Sequence, residues 1–354
     1  MNVLFAYYVP SGGVDSLNRH RCRGLLDQGH QGHCLYYYPG SGQQNANGIP
    51  TFITNDDEEI RQLIRQVPYD VVVATTDYCT FPRFRNLGYA GKFILEIQGY
   101  GPQHVARSEL TKGISCINAY ASALLNPKTA HIAALFDELF PAIPKFHFNN
   151  PFDSNSFTYR PCSKYTNPII AWVGRLEDNK NWREFLQIAY HLVHLHNSNI
   201  RIWMFEDPNL SSAEERAAFT SELERLRLKD HLTLYQNVPN EQMQSCFSII
   251  GDSGGFLCLT SKEEGGPYAV LEAMSCRCPI LSSRKDGIMS TLQHNVTGKL
   301  YTLGNVGEAF LEAIELMHNP TLREQIRANA QARVISEFSI EQYIQNFLGM
   351  LRAI

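Results

Sequence analysis

An apolar run, Gly255-Phe-Leu-Cys-Leu-Thr260, passes directly into Ser261-Lys-Glu-Glu-Gly-Gly-Pro-Tyr-Ala-Val-Leu-Glu-Ala-Met-Ser275, and this stretch constrains the fold more than any other. The run reads as a buried strand and the segment after Pro267 as a helix, with Gly265 and Gly266 tightening the turn between them. Pro267 suits the first helical position, where its fixed φ fits and its missing N–H is not needed. A strand, a turn and a helix in this order put the helix's open amino end against the carboxyl end of the strand, where α/β sheets bind ligands. First-turn amides lack partners within the helix and carry partial positive charge, so they suit phosphate oxygens or sugar hydroxyls. Two carboxylates stand by this turn, Glu264 before it and Glu272 within the helix, with seven residues between them. A carboxylate accepts hydrogen bonds from two neighbouring hydroxyls at once, as a sugar ring or a ribose offers. Such spacing alone more often marks a solvated helix face, but Glu272 lies between Leu271 and Ala273-Met274 and Glu264 precedes a Gly-Gly pair.

The segment Glu264-Gly-Gly-Pro-Tyr-Ala-Val-Leu-Glu272-Ala-Met resembles the two-glutamate motif of the retaining glycosyltransferases of family four. That resemblance implies the α/β GT-B architecture: two Rossmann-like domains facing across a cleft, with a carboxy-terminal helix returning to the amino-terminal domain. It implies donor-sugar contacts from Glu264 and from the backbone of Gly265, Gly266, Pro267 and Tyr268, and a ribose contact from Glu272.

The remaining chain extends the pattern. With 354 residues, 44% hydrophobic and 19% charged, it has the material for about two cores. A net charge of −4 argues against a nucleic-acid partner. Nine scattered cysteines give no paired zinc-ligand spacing and fit reduced thiols, hence a cytoplasmic setting. Met1-Asn-Val-Leu-Phe-Ala-Tyr-Tyr-Val-Pro10 reads as a first strand and not as a signal peptide, because it has no basic start and no cleavage site. No run reaches the length of a transmembrane helix.

After the first strand, Ser11-Gly-Gly-Val-Asp-Ser-Leu-Asn-Arg-His-Arg-Cys-Arg23 predicts a glycine turn and a helix capped by Asp15 or Ser16. The turn lacks the full dinucleotide fingerprint. Its likeness to the family's glycine loop places Gly12 and Gly13 near the donor phosphates or the acceptor. Relatives with lipid acceptors touch membranes through basic helices of this domain; Arg19, Arg21 and Arg23 are too few to predict the same, and a solvated face is the expectation. Runs such as Tyr69-Asp-Val-Val-Val-Ala-Thr75 and Lys92-Phe-Ile-Leu-Glu-Ile-Gln98 predict buried strands. Gly113-Ile-Ser-Cys-Ile-Asn-Ala119 resembles the last strand of the first domain, with Ser122 opening the next helix. Pro141, Pro144, Pro151, Pro161 and Pro168 mark an interdomain linker. The expected domains are 1–155, 156–336 and a terminal helix in 337–354.

Gln98 stands where many family members have a histidine; an amide can bond a sugar hydroxyl but cannot exchange a proton, and His104 is the nearest alternative for contact with the acceptor. In the second half, Gly174 is followed by Arg175 and Lys180, which match the family's diphosphate-binding arginine and lysine. Fixed cations stabilise the charge that gathers on a departing nucleoside diphosphate. Since no Asp-x-Asp pair occupies a plausible strand-end loop, neither a metal ligand set nor a cofactor is expected. Arg201-Ile-Trp-Met-Phe-Glu206 departs from the family's glycines at its end. The segment ending in Val238-Pro239 resembles the base-carrying one, whose contacts are largely backbone; uridine and guanosine are left undistinguished there, although a UDP-sugar is favoured.

These features predict a metal-independent retaining glycosyltransferase with Glu264, Arg175, Lys180 and Gln98 as its reaction-centre residues. The acceptor hydroxyl would belong to a sugar, a lipid-linked molecule or a small molecule. The rival readings are a nucleotide-sugar epimerase of the same fold, a non-catalytic sugar-binding protein, and a glycoside hydrolase, which would need two carboxylates flanking the scissile bond where Glu264 and Glu272 are expected on one side.

Overall fold

The computed structural model describes residues 1–45, 48–162 and 165–354. The chain divides into two units, Met1–Asp153 with Glu337–Ile354, and Ser154–Ser336.

The first unit contains β1 (Asn2–Tyr7), β2 (Gln31–Tyr36), β3 (Thr51–Ile53), β4 (Val71–Thr75), β5 (Lys92–Glu96), β6 (Ala121–Asn126) and β7 (Lys145–His147). They form one parallel sheet in the order β3-β2-β1-β4-β5-β6-β7. Every residue of β4 is buried, as a β-branched run covered by helices on both sheet faces requires. The order reverses between β1 and β4, which defines the switch point of this sheet. The helix Ile340–Ala353 belongs to the same unit, so the expected return of the terminal helix holds. Ser339 caps it by accepting from the Gln342 amide at 3.1 Å, and Tyr343, Ile344, Phe347, Met350 and Leu351 form its buried face. Gly24 makes room for that face, since a Cβ there would stand 2.4 Å from Ile340 Cγ2 and 2.7 Å from Ile344 Cγ1.

The second unit contains β8 (Ile169–Val173), β9 (Arg201–Glu206), β10 (Leu232–Gln236), β11 (Phe256–Leu259), β12 (Ile280–Ser283) and β13 (Lys299–Tyr301). All its pairings are parallel, in the order β10-β9-β8-β11-β12-β13. This repeats the Rossmann order of the first sheet, with the switch point between β8 and β11. Its core gathers around Trp172, Trp182 and Phe185, with the Trp182 ring edge-on to Phe219 at 5.3 Å.

Several local expectations change. Residues 114–120 form the helix Ile114–Tyr120, whose buried position is Ile117; the strand follows it as β6 and contains Ser122. The proline-punctuated stretch includes β7, an edge strand that begins directly after Pro144, a place where proline is tolerated. The first helix starts at Gly12 with Ser11 at its cap, so Asp15 and Ser16 lie within it. Arg19 and Arg21 do not form a solvated face: they are 7% and 0% exposed. Arg21 makes a double contact with Glu96 at 2.9 and 3.0 Å, and Arg19 reaches Asp15 at 3.1 Å. Partners on the helix itself and on β5 satisfy these charges, which is what their burial demands.

Candidate functional site

The second unit's switch point brings two loops together. From β8 the ladder continues one residue, the Gly174 amide donating to Phe205 O at 3.0 Å, and the chain then turns through Arg175 to Asn181. Asn181 has φ 51°, a left-handed conformation that asparagine tolerates, and it caps the helix Trp182–His191. From β11, Thr260 Oγ1 lies 3.0 and 2.9 Å from the carbonyl oxygens of Lys180 and Asn181 and accepts from Trp172 Nε1 at 3.3 Å. Asn179 completes the join: its side chain donates to Glu263 O and accepts from the Glu263 amide, each at 3.2 Å, while its carbonyl accepts from the Lys262 amide at 2.8 Å.

This joining fixes the charged groups. Lys180 Nζ donates to Glu264 Oε1 at 2.5 Å, with the two side chains 23% and 11% exposed. Arg175 pairs with Glu177 at 3.0 Å and keeps its side chain about half exposed, at 49%. Glu272 is buried in the helix Tyr268–Ser275 and accepts from Asn240 Nδ2 at 2.8 Å, at the start of the helix that follows β10. Pro267 (φ −73°, ψ 112°) stands at the cap, one residue ahead of the expected first helical position, and buried Tyr268 opens the helix. The loop lies against the helix Asp286–Met289, and a Cβ on Gly287 would stand 2.3 Å from the carbonyl oxygens of both Glu264 and Gly265. Glu206, at the end of β9, is wholly buried and accepts from Arg216 at 3.1 and 2.9 Å and from Gln236 at 3.2 Å. This cluster occupies the strand end where glycines were the family pattern.

Sequence reasoning did not single out Thr260, Asn179, Asn240 or Gly287. Asn179 had a legible signal, since it directly precedes Lys180; the others act through contacts across the sheet that spacing does not show. Among the described residues no three His, Cys, Asp or Glu side chains gather as a metal ion would need.

The other expected residues belong to the first unit. Gly12 (φ 67°) and Gly13 open the helix Gly12–Asp27 directly after β1 and Ser11. Gln98 exchanges two amide hydrogen bonds with Asn150, at 2.7 and 3.2 Å. His104 is exposed in the first turn of the helix Gln103–Lys112, not in a loop. Gln98 and His104 are thus held in different surroundings.

Comparison with known proteins bears on this arrangement. Residues 161–333 match the family model for glycosyl transferases group 1 and so carry that domain. An uncharacterised glycosyltransferase of Haemophilus influenzae is 27% identical over 214 residues, 58% of this chain and 56% of its own length. The N-acetyl-alpha-D-glucosaminyl L-malate synthase of Bacillus anthracis is 29% identical over 99 residues, 28% of this chain and 26% of its own. These alignments therefore span about a quarter to just over half of the relatives' lengths. Among solved structures, Anabaena HepE in complex with UDP and glucose superimposes with a TM-score of 0.83 over all of both chains at 16% identity. Sucrose-phosphate synthase from Thermosynechococcus elongatus gives 0.83 over 100% of this chain and 99% of its own at 13% identity. The fold is the two-unit GT-B type of these glycosyltransferases.

Proposed function

We propose that the protein transfers a glycosyl group from a nucleoside-diphosphate sugar, a UDP-sugar in the favoured case, to an acceptor hydroxyl with retention at the anomeric carbon and without a metal ion. The observation that carries this reading is the ion pair of Lys180 with Glu264 joining the loops at the carboxyl ends of β8 and β11, the strands that flank the switch point, with half-exposed Arg175 on the same loop as Lys180. The glycosyl transferases group 1 match over 161–333 supports it. The UDP and glucose named with HepE support the choice of nucleotide.

Lys180 is neutralised by one carboxylate. An arriving diphosphate would offer it more negative charge than Glu264 does, and so would release Glu264 to accept from hydroxyls of the transferred sugar. As the bond from the anomeric carbon to the β-phosphate oxygen lengthens, negative charge collects on the diphosphate, and Arg175 and Lys180 stabilise it. Removing one preorganised group of this kind costs about 3 kcal/mol of transition-state stabilisation. Glu272, steadied by Asn240, would hold the ribose. Gln98, clasped by Asn150, contributes an amide and no proton transfer.

The test is release of nucleoside diphosphate from UDP-, GDP- and ADP-sugars with a set of hydroxyl acceptors, with NMR reading the anomeric configuration of the product. Acceptor-dependent release with retention, unaffected by a chelator, is the expected result. Conversion of the donor sugar without acceptor would establish an epimerase instead, and donor binding without release a sugar-binding protein.

A further inference from the structure

At the end of the second unit remote from its switch point, two imidazoles meet. The helix Trp182–His191 does not stop as an α-helix but runs on into a single π turn, Leu192–His196, closed by the Asn197 amide on Leu192 O at 2.9 Å. A π turn is rare, because it adds a residue to the helical register, and such turns gather at functional sites. Here it delivers His196 to the end of the neighbouring helix Val306–His318. Nε2 of His196 and Nε2 of His318 lie 2.9 Å apart, with the rings nearly perpendicular at 87° and their centroids 4.8 Å apart. His318 is exposed and His196 partly buried. The helices beneath are fixed, since Ala189, Leu192 and Val193 of one share a buried core with Ala309, Ala313 and Leu316 of the other. From Trp182 to His196 the helical run covers about 20 Å, which separates the pair from Lys180 and Glu264.

We infer that His196 and His318 bind a divalent first-row transition metal ion, nickel(II) or copper(II) in preference to zinc(II), with water completing its coordination. This site is independent of the transferase reading and takes no part in the transfer. Metal–imidazole bonds of about 2.0–2.1 Å meeting at a right angle, as in neighbouring positions of an octahedral or tetragonal ion, set their nitrogens about 2.9 Å apart; a tetrahedral angle would set them about 3.4 Å apart. The observed spacing is the first of these. Both rings stand at the carboxyl ends of their helices, where partial negative charge favours a cation. Burial, with His318 beside it, lowers the pKa of His196, so the neutral form that ligates metals prevails at pH 7. At this distance one ring donates its Nε2–H to the other; on metal binding that proton passes through solvent to the donor's own Nδ1, and both Nε2 lone pairs face the ion. Two protein ligands make an open, exchangeable site, unlike the closed set around a resident structural ion.

The experiment titrates the full chain, free of an affinity tag and carrying His30→Ala, with nickel(II) alone, followed by calorimetry and by NMR of histidine-labelled protein. The His30 substitution removes the pairing of His30 Nδ1 with the Met1 amine at 3.2 Å, a second combination that could take the ion. One equivalent should bind, broaden the ring signals of His196 and His318 before those of His191 and His194, and raise the thermal midpoint by a few degrees. His318→Gln, which keeps a side-chain donor and acceptor but no imidazole, should weaken binding about tenfold or more, and His196→Ala should do the same, while His191→Ala leaves it unchanged. Magnesium should not compete, and zinc(II) should bind more weakly than nickel(II). If circular dichroism shows that His196→Ala does not fold, His318→Gln carries the comparison. Nickel binding indifferent to the substitutions, no saturable binding, or broadening centred on other histidines would each overturn the site, and tighter binding of zinc than of nickel would overturn its right-angle geometry.

Discussion

The two units repeat one strand order and place their charges in opposite ways. In the second, Arg175, Lys180 and Glu264 reach the loops at the strand ends, and Arg175 keeps half its side chain in solvent. In the first, Arg21 pairs with Glu96 under the strand ends with both side chains essentially inaccessible, and the loops above present tyrosines. Thr75 donates to Glu96 at 2.7 Å, Asn18 accepts from Arg21 at 2.5 Å, and the Arg21 guanidinium stacks 3.8 Å from the Phe5 ring centre. Burial works against the charged Arg21, and the Glu96 carboxylate together with the Tyr343 phenol outweighs it, leaving its pKa raised. One topology thus uses charge in two ways: accessible charge suits an anionic ligand that must be gripped, and buried charge fixes a scaffold whose exposed face can stay neutral.

The largest expected effect tests the buried side of this contrast. Arg21→Met leaves Glu96 as an uncompensated buried charge and should lower stability by about 3–5 kcal/mol in urea titrations. The double variant Arg21→Met, Glu96→Gln should recover much of that loss; if it does not, the pair does more than neutralise itself. Next comes the accessible side, where Lys180→Ala should reduce turnover about a hundredfold with the thermal midpoint little changed. Full turnover in that variant would remove Lys180 from the proposed reaction. A third effect arises from His20, beside Phe152 at 5.7 Å, whose pKa is pushed down to about 3 by burial and then by Arg19. Its folded-state value lies below its unfolded one, so its neutral form is favoured by folding. Stability is then full above about pH 6.5 and falls as the pH drops toward 3, by about 2 kcal/mol between pH 7 and pH 5. His20→Leu should flatten that slope in denaturation curves at the two pH values. The smallest effect is at the solvent-facing pair of Lys262 and Asp178, where Lys262→Ala should change stability by less than about 1 kcal/mol.

Much of the architecture was legible in the residues. Runs such as Val71-Val-Val-Ala74 and Ile169-Ile-Ala-Trp172 can form little but covered parallel strands, and the two-sheet α/β fold followed from them. What escaped was pairing over distance. Arg21 on a polar helix stretch looks solvated until Glu96, seventy-five positions later, is placed against it by the sheet order. Residues 114–120 contain two isoleucines three apart, which fit a short helix as well as a strand, and the strand instead took Ala121–Asn126. Tyr8, Tyr37, Tyr78 and Tyr100 are spread along the chain and come near one another only because β2, β1, β4 and β5 are neighbours in the sheet. The loops at the second switch point were easier because glycines and charges there are contiguous, although the amides that join them, Asn179 and Asn240, were not foreseen.

The first unit is built from two separate segments of chain, with the helix Ile340–Ala353 covering Gly24 and its Phe347 ring 6.0 Å from Phe5. A ribosome therefore delivers the whole second unit before it supplies the helix that the first one lacks. Until then the nascent first unit exposes the greasy strip around Phe5 and Gly24, a surface for chaperones to guard and the place where a premature stop would leave an aggregation-prone product.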